Sequence, residues 1–413
     1  MANGLRVIMV PVRGTEAITL LALFGVGSRY ENIKLNGAAH FIEHMMFKGT
    51  QKRPTTMDIS RPLDRIGADY NAFTAKDHTG YWITTVGKHF PLVSDVLFDM
   101  LLHSKFEATE VERERQVILE EIKMYQENPL MHIDDLFDSL IFAGHPLGWN
   151  IAGTKETMAG IGQKELLNFK NDFYNPRNAV VVVAGKLNKK VFSRINQGAQ
   201  KFSGAGGKKQ PLVFKFTKTK PVILHHQKVD QAQLALGFPA YHFKHKSLPA
   251  LRLLNIILGG NMSSRLFIEV RERRGLAYFV RSEIDSFSDI GSWKVRAGLD
   301  VSRIEEAVRV IMGELAKIRL GVTEKELKDA KEFIRGKTVL SLEESAAQAE
   351  WCAKQELLMG KIFTPKEKMA EMDKVTLKDV KMVANELIKK EKLRCAVIGP
   401  WKDNNKFIKS VKL

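Results

Sequence analysis

The chain has 413 residues, 44% of them hydrophobic and 27% charged, which is the composition of a folded globular protein. No apolar run reaches the roughly 18 to 20 residues that a membrane-spanning helix needs, so we expect no membrane partner. The formal net charge of +17 would suit nucleic acid, but the C-terminal lysines fall on helix-like segments and no zinc finger or RNA-recognition signature accompanies them, so we expect no nucleic-acid partner.

The first half of the chain alternates strand-like and helical patterns. The predicted order is two strands, a short helix and a strand pair, followed by long helices. The segments before the long helices are residues 4–12, 17–29, 37–47 and 68–86. One long helix contains the acidic run "ERERQVILEEIKMYQENP", where Thr109 and Glu112 predict a capping box at its start and Pro129 limits its end.

The second half repeats this order of elements without repeating its residues. Strand-like, helical, strand-like and again helical patterns occur at residues 221–241, 248–260, 275–300 and from Thr323 onward. Strand pairs grouped apart from helices predict the α+β class, with two similar domains that each pack helices on a mostly antiparallel sheet. Glycines and lysines interrupt every helical period between the halves, so we predict domains at 1–205 and 221–413 and a linker at 206–220.

The stretch "HFIEHMMFKGT" places two histidines and a glutamate on the short predicted helix. His40 and His44 are four residues apart, so both imidazoles lie on one face and can reach the same tetrahedral zinc ion. Glu43 lies beside the second histidine, where a carboxylate can act as a base toward a water molecule. The two methionines that follow are expected in the core. A catalytic zinc ion needs a third protein ligand, which this stretch does not supply.

The order His-x-x-Glu-His is that of the inverted zinc peptidases. With it, the sequence resembles the pitrilysin family, in particular its short members similar to the β subunit of mitochondrial processing peptidase and to bacterial processing-peptidase-like proteases. In this family a glutamate 77 residues after the second histidine is the third zinc ligand, and Glu121 occupies that position here. A second functional glutamate of the family matches Glu114, about two helical turns earlier, and the resemblance implies that it holds a ligand or the water network.

Further stretches carry the resemblance along most of the chain. "FGVGSRYE" precedes the motif, and "NAFTAKDHTGYW" and "GHPLGWNIAGT" follow it. In the family the strand of the second stretch is a sheet edge that pairs with substrate, which implies that Asn71, Ala72 and Phe73 bind an extended peptide through main-chain hydrogen bonds. In "GGNMSSRLFIEVRERRGLAYFVRS", where Arg273 and Arg274 lie close by, the family's arginine–tyrosine pair matches Arg271 and Tyr278 and would bind a peptide carbonyl or an oxyanion.

The resemblance implies a zinc-dependent metalloendopeptidase that cleaves unfolded peptides inside a closed chamber. Zinc is the implied cofactor, held by the first domain, while the second domain lacks metal ligands and carries the arginine and the tyrosine. Larger relatives build the chamber from four domains, so we expect this chain to form a homodimer or a heterodimer with a related subunit. Three alternatives stay open: a non-catalytic or partner-dependent subunit of a processing peptidase, a basic nucleic-acid-binding module, and a different hydrolase with an inverted zinc motif.

The cysteine content bears on the cellular compartment. Cys352 and Cys395 are the two cysteines, too few for a disulfide scaffold and too far apart in sequence for a zinc knuckle. The opening residues alternate like a strand and lack the order of a signal peptide. We therefore expect a reducing, cytoplasmic location.

Overall fold

The computed structural model describes residues 1–204, 209–217, 220–403 and 405–411. The strands of this part of the chain are β1 Arg6–Pro11, β2 Ala17–Phe24, β3 Asp69–Thr74, β4 Thr79–Val86, β5 Ala179–Gly185, β6 Val222–His226, β7 Gln231–Ala240, β8 Ala277–Ser286, β9 Gly291–Asp300 and β10 Arg394–Gly399. The α-helices are α1 Ala38–Met45, α2 Thr56–Asp64, α3 Phe90–His103, α4 Ala108–Glu127, α5 Pro129–Ile141, α6 Lys155–Gly160, α7 Gln163–Phe173, α8 Lys189–Gln200, α9 Leu248–Gly259, α10 Ile304–Ile318, α11 Glu324–Ser341, α12 Ser345–Lys354, α13 Pro365–Asp373, α14 Leu377–Leu387 and α15 Asn405–Ser410.

The strands form two five-stranded sheets of the same topology. The order is β1-β5-β2-β4-β3 in one sheet and β6-β10-β7-β9-β8 in the other. Each sheet has one parallel pair, β1 with β5 and β6 with β10, and its other pairs are antiparallel. The predicted α+β class is confirmed, and the shared strand order is the structural counterpart of the duplication in the sequence.

Each sheet is the centre of one compact unit. Unit 1 comprises Met1–Lys123, Trp149–Leu212 and Leu340–Ile362, and unit 2 comprises Met124–Gly148, Val213–Val339 and Phe363–Leu413. The domains predicted at 1–205 and 221–413 follow chain order, whereas residues 124–148 and 340–362 each belong to the unit built mainly from the other half. The predicted linker at 206–220 lies partly outside the described residues, at 206–208 and 218–219.

The two exchanged segments carry helices whose apolar faces cover a sheet. In unit 1, Ala349 and Ala353 of α12 pack on Leu21 and Val182 of the central strands. The opposite face of β2 packs in the main core of the unit, so the strand is buried between two layers from Ile18 to Phe24. This double burial explains why "AITLLALF" is an almost unbroken apolar run.

Unit 2 uses α5 in the same way. Ile133 and Phe137 of this helix pack on Ala235 of β7 and on Ala396 and Ile398 of β10. A larger core on the other face of the sheet joins the strands to α9, α10 and α14. Each unit is therefore a three-layer arrangement, with the outer helix supplied by the distant segment of the chain.

The boundaries of α4 correct one expectation. The helix begins at Ala108, because the Val111 N–H donates to the Glu107 carbonyl at 2.9 Å. Thr109 therefore lies in the first turn and does not cap it, and Glu112 pairs with Arg115 instead, at 2.8 Å.

None of the described helices combines the length and the apolar character that crossing a membrane requires.

Candidate metal centre

The two histidines of the motif stand on the more exposed side of α1. The other side of this helix is buried in the core of unit 1 through Ala38, Ala39, Phe41, Ile42 and Met45. The His40 and His44 side chains are 12% and 20% exposed. The predicted helix and the burial of both methionines are confirmed. The packed face holds the helix in place, and the opposite face presents the two histidine side chains.

Glu31 fixes the start of α1, a role that the sequence pattern did not indicate. Its buried carboxylate accepts hydrogen bonds from the N–H groups of Gly37 and Ala39, both at 2.8 Å, and from the Asn36 amide at 3.0 Å. These donors include main-chain groups at the positive end of the helix. Burial raises the pKa of Glu31 to about 8, although the three donors favour the ionised form. Its place at the end of "FGVGSRYE" was the available signal.

His40, His44 and Glu121 bring one ligand atom each to a common point. The two Nε2 atoms are 3.2 Å apart, and Oε2 of Glu121 lies 3.7 Å from Nε2 of His40 and 3.5 Å from Nε2 of His44. Ligand atoms at about 2.0–2.1 Å from a tetrahedral zinc ion lie about 3.3 Å from one another, so this donor set fits zinc. Within the described ranges, no other three histidine, cysteine, aspartate or glutamate residues meet in this way.

The helix α4 supplies Glu121 and, two turns earlier on the same face, Glu114. Oε1 of Glu114 accepts a hydrogen bond from Nδ1 of His44 at 2.8 Å, and Oε2 forms an ion pair with Nζ of Lys48 at 2.5 Å. Burial acts to raise the pKa of Glu114, but the bonds to His44 and Lys48 outweigh it and lower the pKa. A histidine ligand whose second nitrogen is held by a carboxylate is usual at metal sites.

The two histidines differ in their readiness to lose a proton. Burial lowers the pKa of His40 to about 4, with repulsion from His44, so the His40 ring is neutral near pH 7. Burial acts in the same direction on His44, but hydrogen bonds with Glu114 and Glu121 outweigh it and raise the pKa to about 9. A metal ion at this point would therefore take the place of a proton on His44.

Glu43 is held by the end of a neighbouring strand. The Thr74 hydroxyl, on the last residue of β3, donates to Oε2 of Glu43 at 2.6 Å. Burial raises the pKa of Glu43, and the hydrogen bond from Thr74 and the charge of His44 partly offset this effect. A carboxylate with a raised pKa is better able both to accept and to return a proton near neutral pH.

The predicted substrate strand is β3, and it lies at an edge of its sheet. In the part of the chain that the structure describes, β3 pairs with β4 alone, so one side of Asn71, Ala72 and Phe73 has no described strand beside it. The Ala72 N–H donates to the side-chain oxygen of Asn71 at 2.8 Å. The edge position agrees with the expectation from the resemblance, and the strand ends at Thr74, in contact with Glu43.

Arg271 and Tyr278 are close to each other, but in unit 2. Arg271 lies in the last turn of the π-helical segment Phe267–Glu272, and its guanidinium lies 4.9 Å from the ring centre of Phe267 and 5.9 Å from that of Tyr278. Tyr278 is 72% exposed. The neighbouring Arg273 and Arg274 both pair with Glu269, at 2.5 and 2.6 Å, whereas Arg271 lies beside the tyrosine.

Two profiles of known protein families match separate parts of the chain. Residues 6–155 match the family profile described as "Insulinase (Peptidase family M16)", and residues 160–334 match the one described as "Peptidase M16 inactive domain". The first match contains the whole ligand cluster with Glu43, and the second contains Arg271 and Tyr278.

Relatives and solved structures extend the match over nearly the whole chain. A Bacillus subtilis protein called an uncharacterized zinc protease is 35% identical over 96% of this chain and 97% of its own length, and one from Streptomyces coelicolor with the same description is 36% identical over 97% and 89%. The crystal structure of a protease from Helicobacter pylori is 26% identical, with a TM-score of 0.89 and coverage of 96% and 97%. A structure from Pseudomonas fluorescens, described as a peptidase M16 inactive domain, has the same TM-score at 20% identity and so supports the fold alone.

Proposed function

This chain belongs to peptidase family M16, the pitrilysin family, and we propose that it is an active zinc metalloendopeptidase that cleaves unfolded peptides. The observation that carries the proposal is the convergence of the ligand atoms of His40, His44 and Glu121. The position of Glu43 beside this cluster and the description of the relatives as zinc proteases add support.

The proposed chemistry assigns each side chain one task. A bound zinc ion would supply Lewis acidity, which polarises the scissile carbonyl and acidifies water. His40, His44 and Glu121 would hold the ion and leave one tetrahedral position open. Glu43 accepts a proton from the attacking water and returns it to the leaving amine, and its raised pKa suits both steps. Thr74 keeps the carboxylate oriented through its hydrogen bond.

Peptide binding is proposed at the edge strand β3. An extended substrate would pair with the main chain of Asn71, Ala72 and Phe73, and would take the place of the Asn71 side chain at the Ala72 N–H. Because β3 ends at Thr74, next to Glu43, a peptide along this edge would run toward the base. Pairing through the main chain requires an unfolded substrate, since a folded protein has few free strand segments to offer.

The remaining expectations complete the proposal. Arg271 and Tyr278 would bind a substrate carbonyl or stabilise the oxyanion through donated hydrogen bonds. The chain would act within a closed chamber as a homodimer or a heterodimer with a related subunit. Free Cys352 and Cys395 suit a reducing compartment such as the cytoplasm.

The decisive experiment replaces the base. We expect Glu43→Gln to keep one zinc ion per chain and to lower kcat/KM on a quenched-fluorescence peptide library by about 10²–10⁴-fold. Glu120→Gln, an exposed neighbour of the third ligand, serves as the matched control. Mass-spectrometric mapping of the cuts, with and without a chelator, identifies the activity as metal-dependent. Undiminished turnover in the pure Glu43→Gln protein would show that Glu43 is not the base.

A partner-dependent subunit is the second candidate function. The match of residues 160–334 to an inactive-domain profile favours it, since a second chain would complete the site in a processing peptidase of two subunits. Light scattering after size exclusion, together with the activity of the purified chain alone, separates the two. An active chain without any partner supports the proposed enzyme, and a zinc-loaded but inactive one supports the subunit.

A further inference from the structure

Lys48 is a cation next to the ligand cluster to which the zinc motif assigns no role. It follows α1, four residues after His44, and its Nζ lies 2.5 Å from Oε2 of Glu114. The Lys48 side chain is 23% exposed and that of Glu114 is 4% exposed. The nearby ion pair of Lys52 with Asp95 is different, because those side chains are 59% and 45% exposed. The pair of Lys48 is therefore shielded from water, where charges interact more strongly.

Glu114 uses one carboxylate oxygen for each partner. Oε1 accepts the hydrogen bond from Nδ1 of His44 at 2.8 Å, while Oε2 faces Lys48. The terminal torsion of a glutamate is broad, so a carboxylate held at one oxygen can rotate, whereas one held at both oxygens keeps its plane. Lys48 thus fixes the direction from which Oε1 meets the His44 ring.

The two ligand histidines depend on this support unequally. Among the described residues, Nδ1 of His40 has no hydrogen-bond partner, so no carboxylate orients that ring from the side away from the ligand cluster. His44 is the ring that a carboxylate orients, and the carboxylate is in turn held by Lys48. A chain of contacts therefore leads from Lys48 through Glu114 to one metal ligand.

The charges of the side chains around the cluster also support a role for Lys48. Glu43, Glu114 and Glu121 bring three carboxylates to a partly buried region. A divalent cation offsets two such charges, and Lys48 supplies a cation for the third. Buried carboxylates without a compensating charge are costly, so loss of Lys48 is expected to disturb the position of Glu114.

We propose that Lys48 is a positioning residue of the metal centre, which orients His44 for the ion by holding the second carboxylate oxygen of Glu114 in place. The inference rests on the proposed function in one respect, because it takes zinc as the ion at this cluster. It adds a residue that touches neither the metal nor the substrate.

The test measures zinc affinity by competition with a chromogenic chelator. We expect Lys48→Met, which keeps the length of the side chain, to weaken zinc binding by about 10–100-fold, the usual effect of losing an outer partner of a metal ligand. Lys48→Arg keeps the charge and is expected to restore the affinity to within about threefold of the wild type. Lys52→Met is the matched control and should bind zinc as the wild type does.

Two further readouts separate positioning from a general loss of structure. In the cobalt-substituted protein, the visible absorption spectrum should change in Lys48→Met and return in Lys48→Arg, because His44 alters its direction. In the background of Glu114→Gln, Lys48→Met should have no additional effect on zinc affinity, since its route to the metal is already broken. If circular dichroism shows that Lys48→Met does not fold, Lys48→Gln takes its place with the same expected loss.

The outcomes distinguish the two proposals. Wild-type zinc affinity in the neutral Lys48 variant, or an equal loss in the Glu114→Gln background, would overturn the role of Lys48. Failure of the wild-type chain to bind zinc at all would instead remove the proposed function.

Discussion

Two neighbouring glutamates on α4 show that the direction of a side chain decides whether it can bind the metal. Glu121 faces His40 and His44, whereas Glu120 is exposed. We predict that Glu121→Gln weakens zinc binding by at least about 100-fold, because a neutral amide replaces a charged ligand, while Glu120→Gln leaves it unchanged. Chelator competition on both variants measures the difference, and equal affinities would contradict the assignment of Glu121 as the third ligand.

Zinc binding should also stabilise the protein against heat. The proposed ligands come from α1 and α4, so a bound ion would link two helices that are far apart in sequence. At a zinc concentration 100 times the dissociation constant, one site adds about 2.7 kcal/mol to the free energy of unfolding. Calorimetry with zinc and with a chelator should therefore show a higher melting temperature for the zinc form. A melting temperature that does not respond to zinc would argue against the site.

Some residues of the candidate site could be predicted from the sequence and others could not. The spacing of His40, Glu43 and His44 indicates a metal site without further information, because one helical turn relates the ligands. Glu121 lies 77 residues further on, and only the family resemblance related it to His44. Glu31 and Lys48 could not be found in this way, because each acts through contacts that exist only after the chain has folded.

At the level of elements, α5 shows that a helix can stabilise the sheet of the other half of the chain. Phe137 is fully buried against β7 and β10 of unit 2, while Met131 of the same helix is 42% exposed. We predict that Phe137→Ala lowers the free energy of unfolding by about 3–5 kcal/mol through the cavity that it leaves, and that Met131→Ala changes it by less than about 0.5 kcal/mol.

The location of this effect can be measured as well as its size. Hydrogen exchange followed by mass spectrometry should show loss of protection in β7 and β10, although the substitution lies in the first half of the sequence. If protection were lost in the strands of unit 1 instead, the assignment of α5 to unit 2 would be wrong.

The start of α11 provides a pH-dependent test in unit 2. Oε2 of Glu326 accepts hydrogen bonds from the Thr323 N–H at 2.7 Å and hydroxyl at 3.0 Å, and Arg265 contacts both carboxylate oxygens at 2.7 and 2.9 Å. Burial acts to raise the pKa of Glu326, but these partners outweigh it and lower the pKa to about 2. Because the folded-state pKa is lowered, the ionised carboxylate stabilises the protein at pH values above its ordinary pKa of 4.5. This contribution is lost as the pH falls toward 2.

We therefore predict that Glu326→Gln lowers the free energy of unfolding by about 1 kcal/mol at pH 7, the usual cost of losing a helix cap. The deficit relative to the wild type should shrink between pH 4.5 and pH 2, because in this range the carboxylate of the unfolded wild type binds a proton that the folded form does not. Urea unfolding of both proteins at pH 7 and pH 3 measures this. A deficit of the same size at both values would show that the charge of Glu326 does not matter.

Sequence patterns identified the strands and most helices but not their packing partners. The apolar run of β2 indicates burial, and its alternation with turns indicates a strand, because both are local properties. An apolar helix face such as that of α12 indicates that something covers it, but not which of two similar sheets. The exchange of α5 and α12 depends on contacts between segments more than 100 residues apart, so the predicted boundaries follow chain order.

For the whole molecule, the exchange predicts that the two halves of the chain cannot fold separately. A fragment of residues 1–205 lacks α12, which leaves Leu21 and Val182 of its sheet uncovered, and a fragment of residues 221–413 lacks α5. We predict that neither fragment unfolds cooperatively when produced alone, and that producing both together restores zinc binding. A sharp thermal transition in fragment 1–205 alone would contradict this.

The same exchange has a consequence for biosynthesis. All three proposed metal ligands have been synthesised once the ribosome passes residue 121, but α12, which completes the sheet of unit 1, ends only at Lys354. At about 5–20 residues per second, translation of the intervening segment takes roughly 10–50 s. During this interval the nascent chain carries the residues of a peptidase without its finished framework. Late completion of the unit would keep an active protease from forming while the chain is still attached to the ribosome.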